Sequence, residues 1–383
     1  MSDLIAKPVE TQEEYLAGRE LAARVFTRGN QEAYQKWMDR ALRYTTLPGF
    51  AYEWHRIGVV DDRVVGFLSA RPYRLRYGRV ELRVGGIGAV CVDPDYRERG
   101  IASALLQDAI GYMMARGDHF SLLDGIARFY PRFGYQTVWP NSQLVFKAAD
   151  AAALDAPLTT RPATLADAPQ LVALYERSWG QRVTMPRSLE NLEWRFRTFP
   201  EFSVQVVTDS SGQIVGYSSG TGHGHEAMAE TAAASRTLLA LAGRAALENG
   251  KETLEWYLPT DDRLIYDARR WLDSTLHIHL LPTGQWMGRV IDPEAFREAI
   301  LPEITAQAGI DLRGLIFDLQ PGTVHIGLRG QDATNMQLDY GAFLQVVFGV
   351  LPPPMLDLPS DAAQLLQRMF PPRVAMIAPW DWF

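Results

Sequence analysis

Cysteine is nearly absent from this chain of 383 residues. Cys91 stands alone, which excludes intramolecular disulfides and zinc sites that draw several thiolates from one chain. A lone cysteine also fits a reducing compartment. A basic surplus is missing: 38 Lys+Arg face 45 Asp+Glu, a net charge of −7. That balance argues against nucleic acid or an anionic membrane as the main partner, so any polyanion site must be local. Long apolar runs are missing too. The opening MSDLIAKPVETQEEY lacks a signal-peptide core, and the most apolar later stretch, residues 343–356, is broken by Gly349 and by prolines at 352–354. Together these absences lead us to expect a cytoplasmic soluble protein. The remainder, 47% hydrophobic and 22% charged, is ordinary globular composition and excludes a fibre or a disordered chain. At ~100–200 residues per domain, the length predicts two or three domains.

Thr11 and Glu14 form a capping-box pattern ahead of apolar residues at helical spacing, which predicts an amphipathic helix over 12–26. A second helix is expected from 30 to about 44. The pattern then changes to period two with β-branched residues over 56–60, 64–73 and 80–92, separated by turn residues, which predicts an antiparallel meander. Ile101, Leu105, Leu106, Ala109, Ile110, Met113 and Met114 mark one face of a helix ending near Gly117. Short strands are expected at 120–123 and 143–147, giving an α+β or α/β domain with a mixed sheet. Residues 150–158 look like a linker. Beyond it, Gly212-Gln-Ile-Val-Gly-Tyr-Ser-Ser echoes Asp62-Arg-Val-Val-Gly-Phe-Leu-Ser at an offset of 150 residues, which suggests a duplicated domain. From about Met287 the pattern predicts a third, smaller α+β domain, with helices at 293–300, 340–350 and 361–370 and strands near 315–319 and 324–328.

The chemistry concentrates where the strand ending Val90-Cys91-Val92 turns at Pro94 into Arg97-Glu98-Arg99-Gly100-Ile101-Ala102-Ser103 and a helix. Free backbone N–H groups at a helix start, small residues that admit a ligand and two flanking arginines make a cradle for a pyrophosphate. This stretch resembles the Arg/Gln-x-x-Gly-x-Gly/Ala signature of the GNAT acetyltransferases. Further on, Phe129-Tyr130-Pro131-Arg132-Phe133-Gly134-Tyr135 resembles that family's FY-x-(R/K)-x-GY element. The whole chain is similar to the Eis-like branch, through its length, the run 287–296 and the aromatic segment Trp380-Asp381-Trp382-Phe383.

That resemblance implies tandem GNAT domains with mixed, mostly antiparallel sheets: an active one over 1–150 and a degenerate one, without its own cradle, over 151–286. It implies a sterol-carrier-protein-like α+β domain over 287–383 and a hexameric assembly. The implied activity is N-acetyl transfer from acetyl-CoA to a primary amine, a small molecule such as an aminoglycoside or polyamine, by direct attack on the thioester. The backbone of Val90, Cys91 and Val92 would take the pantetheine arm, and residues 97–103 the diphosphate. Tyr130 would be the general acid, since a phenol near ~10 lies close enough to a thiol near ~8.5 to protonate a departing thiolate. The α-carboxylate of Phe383 would take the amine proton. Phe26 and Trp37 would wall the acceptor pocket. Relatives that modify polyamine drugs have Phe-Thr-Asp where this chain reads Phe26-Thr27-Arg28, and a cation there would repel a polycationic acceptor. Two alternatives stay open: acyl transfer to a protein lysine, and a non-enzymatic protein that binds an apolar ligand or partner through the third domain.

Other patterns carry less. Gly216-Tyr-Ser-Ser-Gly220 fits a nucleophile elbow, but no helix signal follows. His223-x-His225-Glu226 lacks a third ligand, so no metal is expected. His277 and His279 alternate with apolar residues on a strand. Arg71, Arg74, Arg76, Arg79 and Arg83 read as a solvated or interface strand face, with an acidic-group receptor as the alternative.

Overall fold

The computed structural model describes residues 4–126, 128–219, 225–281, 284–328 and 331–381. Its first part runs β1 (Ile5–Pro8), α1 (Gln12–Thr27), α2 (Gln31–Tyr44), β2 (His55–Val60), β3 (Arg63–Tyr77), β4 (Val80–Val92), α3 (Ile101–Arg116), β5 (Phe120–Gly125), β6 (Gln136–Thr137) and β7 (Asn141–Lys147). Thr11 caps α1 by accepting from the Glu14 amide at 3.2 Å, whereas the Glu14 carboxylate reaches back one residue too far and accepts from Glu10 at 2.8 Å. The expected meander is present as β2, β3 and β4.

The second part repeats this order. It begins with a short helix, α4 (Ala148–Ala152), then runs β8 (Thr159–Pro162), α5 (Ala168–Trp179), α6 (Leu189–Thr198), β9 (Val204–Thr208), β10 (Ile214–Ser219), β11 (Glu226–Ala229), α7 (Ala232–Glu248), β12 (Thr253–Tyr257), α8 (Arg263–Trp271) and β13 (Ser274–His279). The sequence echo falls on its counterpart strands β3 and β10, and its central glycine does the same work in both. A Cβ at Gly66 would meet Ile101 and Leu105 of α3 at 2.7 and 2.8 Å, and one at Gly216 would meet Ala234 and Leu238 of α7 at 3.3 and 3.4 Å. Each glycine lets a helix lie close on its sheet. The expected linker is partly wrong: residues 148–152 are helical, because Ala148 and Ala151 are fully buried against α7, where Gly243 leaves no room for a side chain.

The third part is β14 (Gln285–Val290), α9 (Pro293–Ala308), β15 (Leu315–Gln320), β16 (Thr323–Leu328), β17 (Gln331–Asp339), α10 (Tyr340–Val347) and α11 (Ser360–Met369). Strand β17 was not expected from the sequence. The sheets cross the expected boundaries. The first sheet has the order β1-β2-β3-β4-β5-β14-β6, so the strand containing Met287 completes the first unit. Conversely, β7 lies between β12 and β13 and completes the second. The two units thus exchange one strand each. α1 and α3 cover opposite faces of the first sheet: Phe67 and Cys91 face α1, while Val65 and Leu68 face α3. The third part packs under the far end of β3 and β4, where the Tyr77 hydroxyl donates to the Val347 carbonyl at 2.8 Å.

Candidate active site

The site begins where two parallel strands part. β4 and β5 pair only from Val84 and Phe120 to Ile87 and Leu123. Just beyond, β4 bulges: Phe67 pairs with Cys91 but Ser69 with Gly88, so Ala89 and Val90 oppose the single Leu68. Ala89 adopts φ 53°, the left-handed conformation of an inserted residue. Residues 88–92 therefore have β3 on one side and, among the described residues, no strand on the other. An open strand edge in a cleft can take an extended chain by backbone pairing.

This edge leads into the start of α3. Asp93 is fixed by Arg63 at 2.8 Å and Arg24 at 3.6 Å and accepts from the Asp95 amide at 3.2 Å. Glu98 and Gly100 both take positive φ, 62° and 80°, so the backbone curls before Ile101. No side chain caps α3, and a Cβ at Gly100 would meet nothing within 4 Å. The first amides of α3 thus face open space, with exposed Arg97 and Arg99 beside them. Its counterpart α7 is closed, because Thr231 Oγ1 accepts from the Ala234 amide at 3.1 Å. The residues present fit a diphosphate at α3 and not at α7.

The structure brings Val90, Val92, Ile101 and Tyr130 into one apolar cluster with Ile87, Leu123 and Met287. Cys91 lies on the opposite face, buried against Phe67, and burial pushes its thiol up to about 12, so only its backbone is available. Tyr130 opens a 3-10 turn and packs edge-on against Phe129 at 5.0 Å. Burial first, then the charge of Asp124, push its phenol up to about 12. This exceeds the value near ~10 expected from sequence, so Tyr130 holds its proton at neutral pH and has an O–H available to donate. Phe383, with Trp382, lies outside the described residues.

On the α1 side of β4 a cavity of ≈ 360 Å³ reaches Gly88 and Ala89 at the bulge. Phe26 and Trp37 stack on its wall with ring centroids 5.4 Å apart. Arg28, expected to repel cations there, instead forms the exposed C-cap of α1 and does not line the cavity. Arg19, Arg40 and Arg71 do. His55 lines it too: its Nδ1 bonds Ser69 Oγ at 2.9 Å, and its Nε2 is buried without a partner among the described residues. Burial, then the charges of Arg19 and Arg71, push His55 well below the ordinary histidine range and keep it neutral. A second cavity of ≈ 520 Å³ shares Tyr44, Leu47 and Arg71 with the first and extends to Trp380 and Asp381.

Those two residues are anchored in the second unit. Arg187 donates to Glu226 at 2.6 and 3.0 Å, to Tyr217 at 3.1 Å and to Asp381 at 3.1 Å, and Trp380 Nε1 donates to Ser219 Oγ at 2.5 Å. Glu226 is thus engaged by Arg187, while its neighbour His225 stacks on Trp256 at 4.8 Å. His277 and His279 stack on each other on β13, and Ser218 sits in mid-strand. The arginine run divides: Arg71 and Arg74 line the cavities, Arg76 pairs with Glu176 at 2.8 Å, and Arg83 donates to the Gly117 carbonyl at 2.6 Å. Sequence reasoning missed Arg19, Tyr44 and His55.

No curated protein matches the chain in sequence. Among solved structures, one from Enterococcus faecalis described as a probable N-acyltransferase is 15% identical with a TM-score of 0.72, covering 100% of both chains. A GCN5-related N-acetyltransferase from Kribbella flavida is 18% identical with a TM-score of 0.67, covering 100% of this chain and 99% of its own. Eis1 from Mycobacterium abscessus is 14% identical with a TM-score of 0.62, covering 98% and 99%. These likenesses establish a shared fold over the whole length. Residues 9–138 match the model of the acetyltransferase (GNAT) domain. With the open β4 edge and the uncapped α3 inside that stretch, the N-terminal part is a GNAT domain, and the chain is an acetyltransferase that uses acetyl-CoA.

Proposed function

We propose that this protein transfers an acetyl group to a primary amine by direct attack, with the acceptor bound in the cavity between α1, α2 and β4. The observation that carries this reading is the parting of β4 from β5 beside an uncapped α3. Acetyl-CoA supplies the activated acyl group. The α3 amides with Arg97 and Arg99 hold its diphosphate, and the backbone of Val90 and Val92 its pantetheine arm. Tyr130 donates a hydrogen bond to the departing sulfur, which weakens the thiolate as a nucleophile for the reverse reaction. The Phe383 carboxylate, or one water it orders, takes the amine proton. The anchoring of Trp380 and Asp381 beside the second cavity supports this role for the end of the chain. We also read the second unit as a GNAT domain that has lost its cofactor, the third part as sterol-carrier-like, and the assembly as a hexamer, following the Eis-like resemblance.

Calorimetry tests the cofactor assignment: one coenzyme A site per chain is expected, abolished by R97E/R99E. Thiol release with a panel of amines tests turnover. Two equivalent sites, or full affinity in the double variant, would sink the assignment.

A further inference from the structure

Among the described residues, the acceptor cavity is lined by cations and by no carboxylate. Arg19 projects from α1 at an inward position, in line with Tyr15, Ala22 and Phe26 at helical spacing. Its guanidinium lies 5.3 Å from the Trp37 ring and 6.0 Å from Phe67, and its Nε is buried without a hydrogen-bond partner. Arg71 projects from the same face of β3 as Phe67 and Ser69, and lies 5.4 Å from Tyr44 and 5.3 Å from Tyr73. Neither forms an ion pair with any described carboxylate, unlike Arg56, Arg63, Arg76 and Arg187, which all do. Among the described residues, aromatic faces are their counterweight, and these offset little of the cost of desolvating two guanidiniums.

The surroundings add to the positive field. Arg40 lines the same cavity, and Arg74 and Arg195 the adjoining one. Among the described residues, the single acidic one lining either cavity is Asp381, already engaged by Arg187. Tyr44, where the cavities join, reports the sum. Burial pushes its phenol up, yet Arg195, Arg71, Arg40 and Arg19 outweigh burial and the net shift is downward.

We infer that the acceptor is an amine that also carries a carboxylate, seated between Arg19 and Arg71 with its amine toward Gly88 and Ala89. This rests on the acetyl-transfer reading of the same cavity. Even with the Phe383 carboxylate proposed above as the base, Arg19, Arg40 and Arg71 leave an excess of positive charge in the cavity that an anion completes, and the stacked Phe26 and Trp37 give the methylene chain of such a molecule an apolar wall. His55, neutral and with Nε2 unpartnered among the described residues, offers a further polar atom to the bound molecule, an acceptor in the tautomer whose Nδ1–H donates to Ser69. A polyamine or an aminoglycoside places positive charge where the cavity already has it.

The test compares compounds of one length: 5-aminopentanoate, its amide, and 1,5-diaminopentane, each at saturating acetyl-CoA. The amino acid is expected to exceed both others in kcat/KM by roughly a hundredfold, since losing one partner of a desolvated charge pair has effects of that order. R71Q and R19Q should reduce that advantage to within about threefold through KM, and R71K should restore much of it. Calorimetric titration of 5-aminopentanoate into the coenzyme A complex should show binding that R71Q removes. Preference for the diamine, or a preference unchanged in both Gln variants, overturns the inference. So does an Arg71-dependent preference for succinyl-CoA over acetyl-CoA with no effect of the acceptor's carboxylate, which would place the anion on the donor. Absence of 5-aminopentanoate binding overturns it as well. Failure of coenzyme A itself to bind would instead refute the acetyl-transfer reading.

Discussion

The guanidinium of Arg187 reaches the carboxylate of Asp381 at 3.1 Å, across 194 positions of the chain, while its other contacts hold Glu226. Glu226 is fully buried. Arg187→Met leaves that carboxylate without a counterion, and should cost about 3–5 kcal/mol. Adding Glu226→Gln to it should recover part of the loss. Urea unfolding of the two variants checks this. If the pair serves only to fix the tail, the single variant would lose turnover with unchanged unfolding midpoint.

Tyr130→Phe removes the proposed hydrogen bond to the leaving sulfur and little of the apolar packing. Turnover should fall by roughly 10²–10³-fold with coenzyme A affinity unchanged. Steady-state kinetics beside calorimetry separates the two. Equal kcat in the Phe variant would remove Tyr130 from the reaction.

Gly100 has φ 80° with open space around its missing side chain. Gly100→Val forces a β-branched residue into the left-handed region at about 1–2 kcal/mol and places methyl groups where the diphosphate is expected. We expect a small drop in melting temperature and a loss of coenzyme A binding of at least about tenfold. Unaltered affinity would argue that the ligand does not approach this turn.

Extending the chain by one residue after Phe383 moves its carboxylate without touching the α3 cradle. Coenzyme A binding should persist and turnover should drop about 10²-fold or more. An extended protein as active as the original would require another base.

Three histidines make stability depend on acid. Burial lowers His225 and His119 to about 4, and lowers His55 well below its ordinary value. Unfolded, each titrates near ~6.5, so below that the unfolded chain binds more protons than the folded one. Their contribution is therefore complete above about pH 6.5 and is lost as the pH falls toward 4. Melting curves across this window should decline steadily, and His225→Phe should flatten part of the decline, because the ring can still stack on Trp256. A flat profile in the unmodified protein would contradict the burial.

The meander, the long helices and the glycine turn that opens α3 could be read directly, because period, caps and turn residues are local properties. Arg19 and Arg71 were readable in principle. Each occupies a position whose i±3, i±4 or i±2 neighbours are core residues, and a charge there signals a lined cavity. The run Arg71, Arg74, Arg76, Arg79 and Arg83 reads as one face only if strand alternation is ignored, since odd and even positions of a strand point to opposite sides. The bulge at Ala89 was hidden, since alanine gives no hint of positive φ. The exchange of β7 and β14 was beyond local reading: both are short strands of mixed polar and apolar residues, and nothing within them specifies a partner more than a hundred residues away. The raised pKa of Tyr130 likewise depends on Met287 and Leu123 meeting over it.

The exchanged strands also bear on how the polypeptide matures on the ribosome. The first unit cannot close its sheet until residues 285–290 have emerged, and the second must retain β7 from residues synthesised before it began. A nascent chain of about 150 residues thus presents unpaired backbone along β5 and β7, an invitation to pairing with neighbouring chains. This connectivity predicts late, interdependent folding of the two units, and the N-terminal 150 residues expressed by themselves are expected to aggregate rather than work.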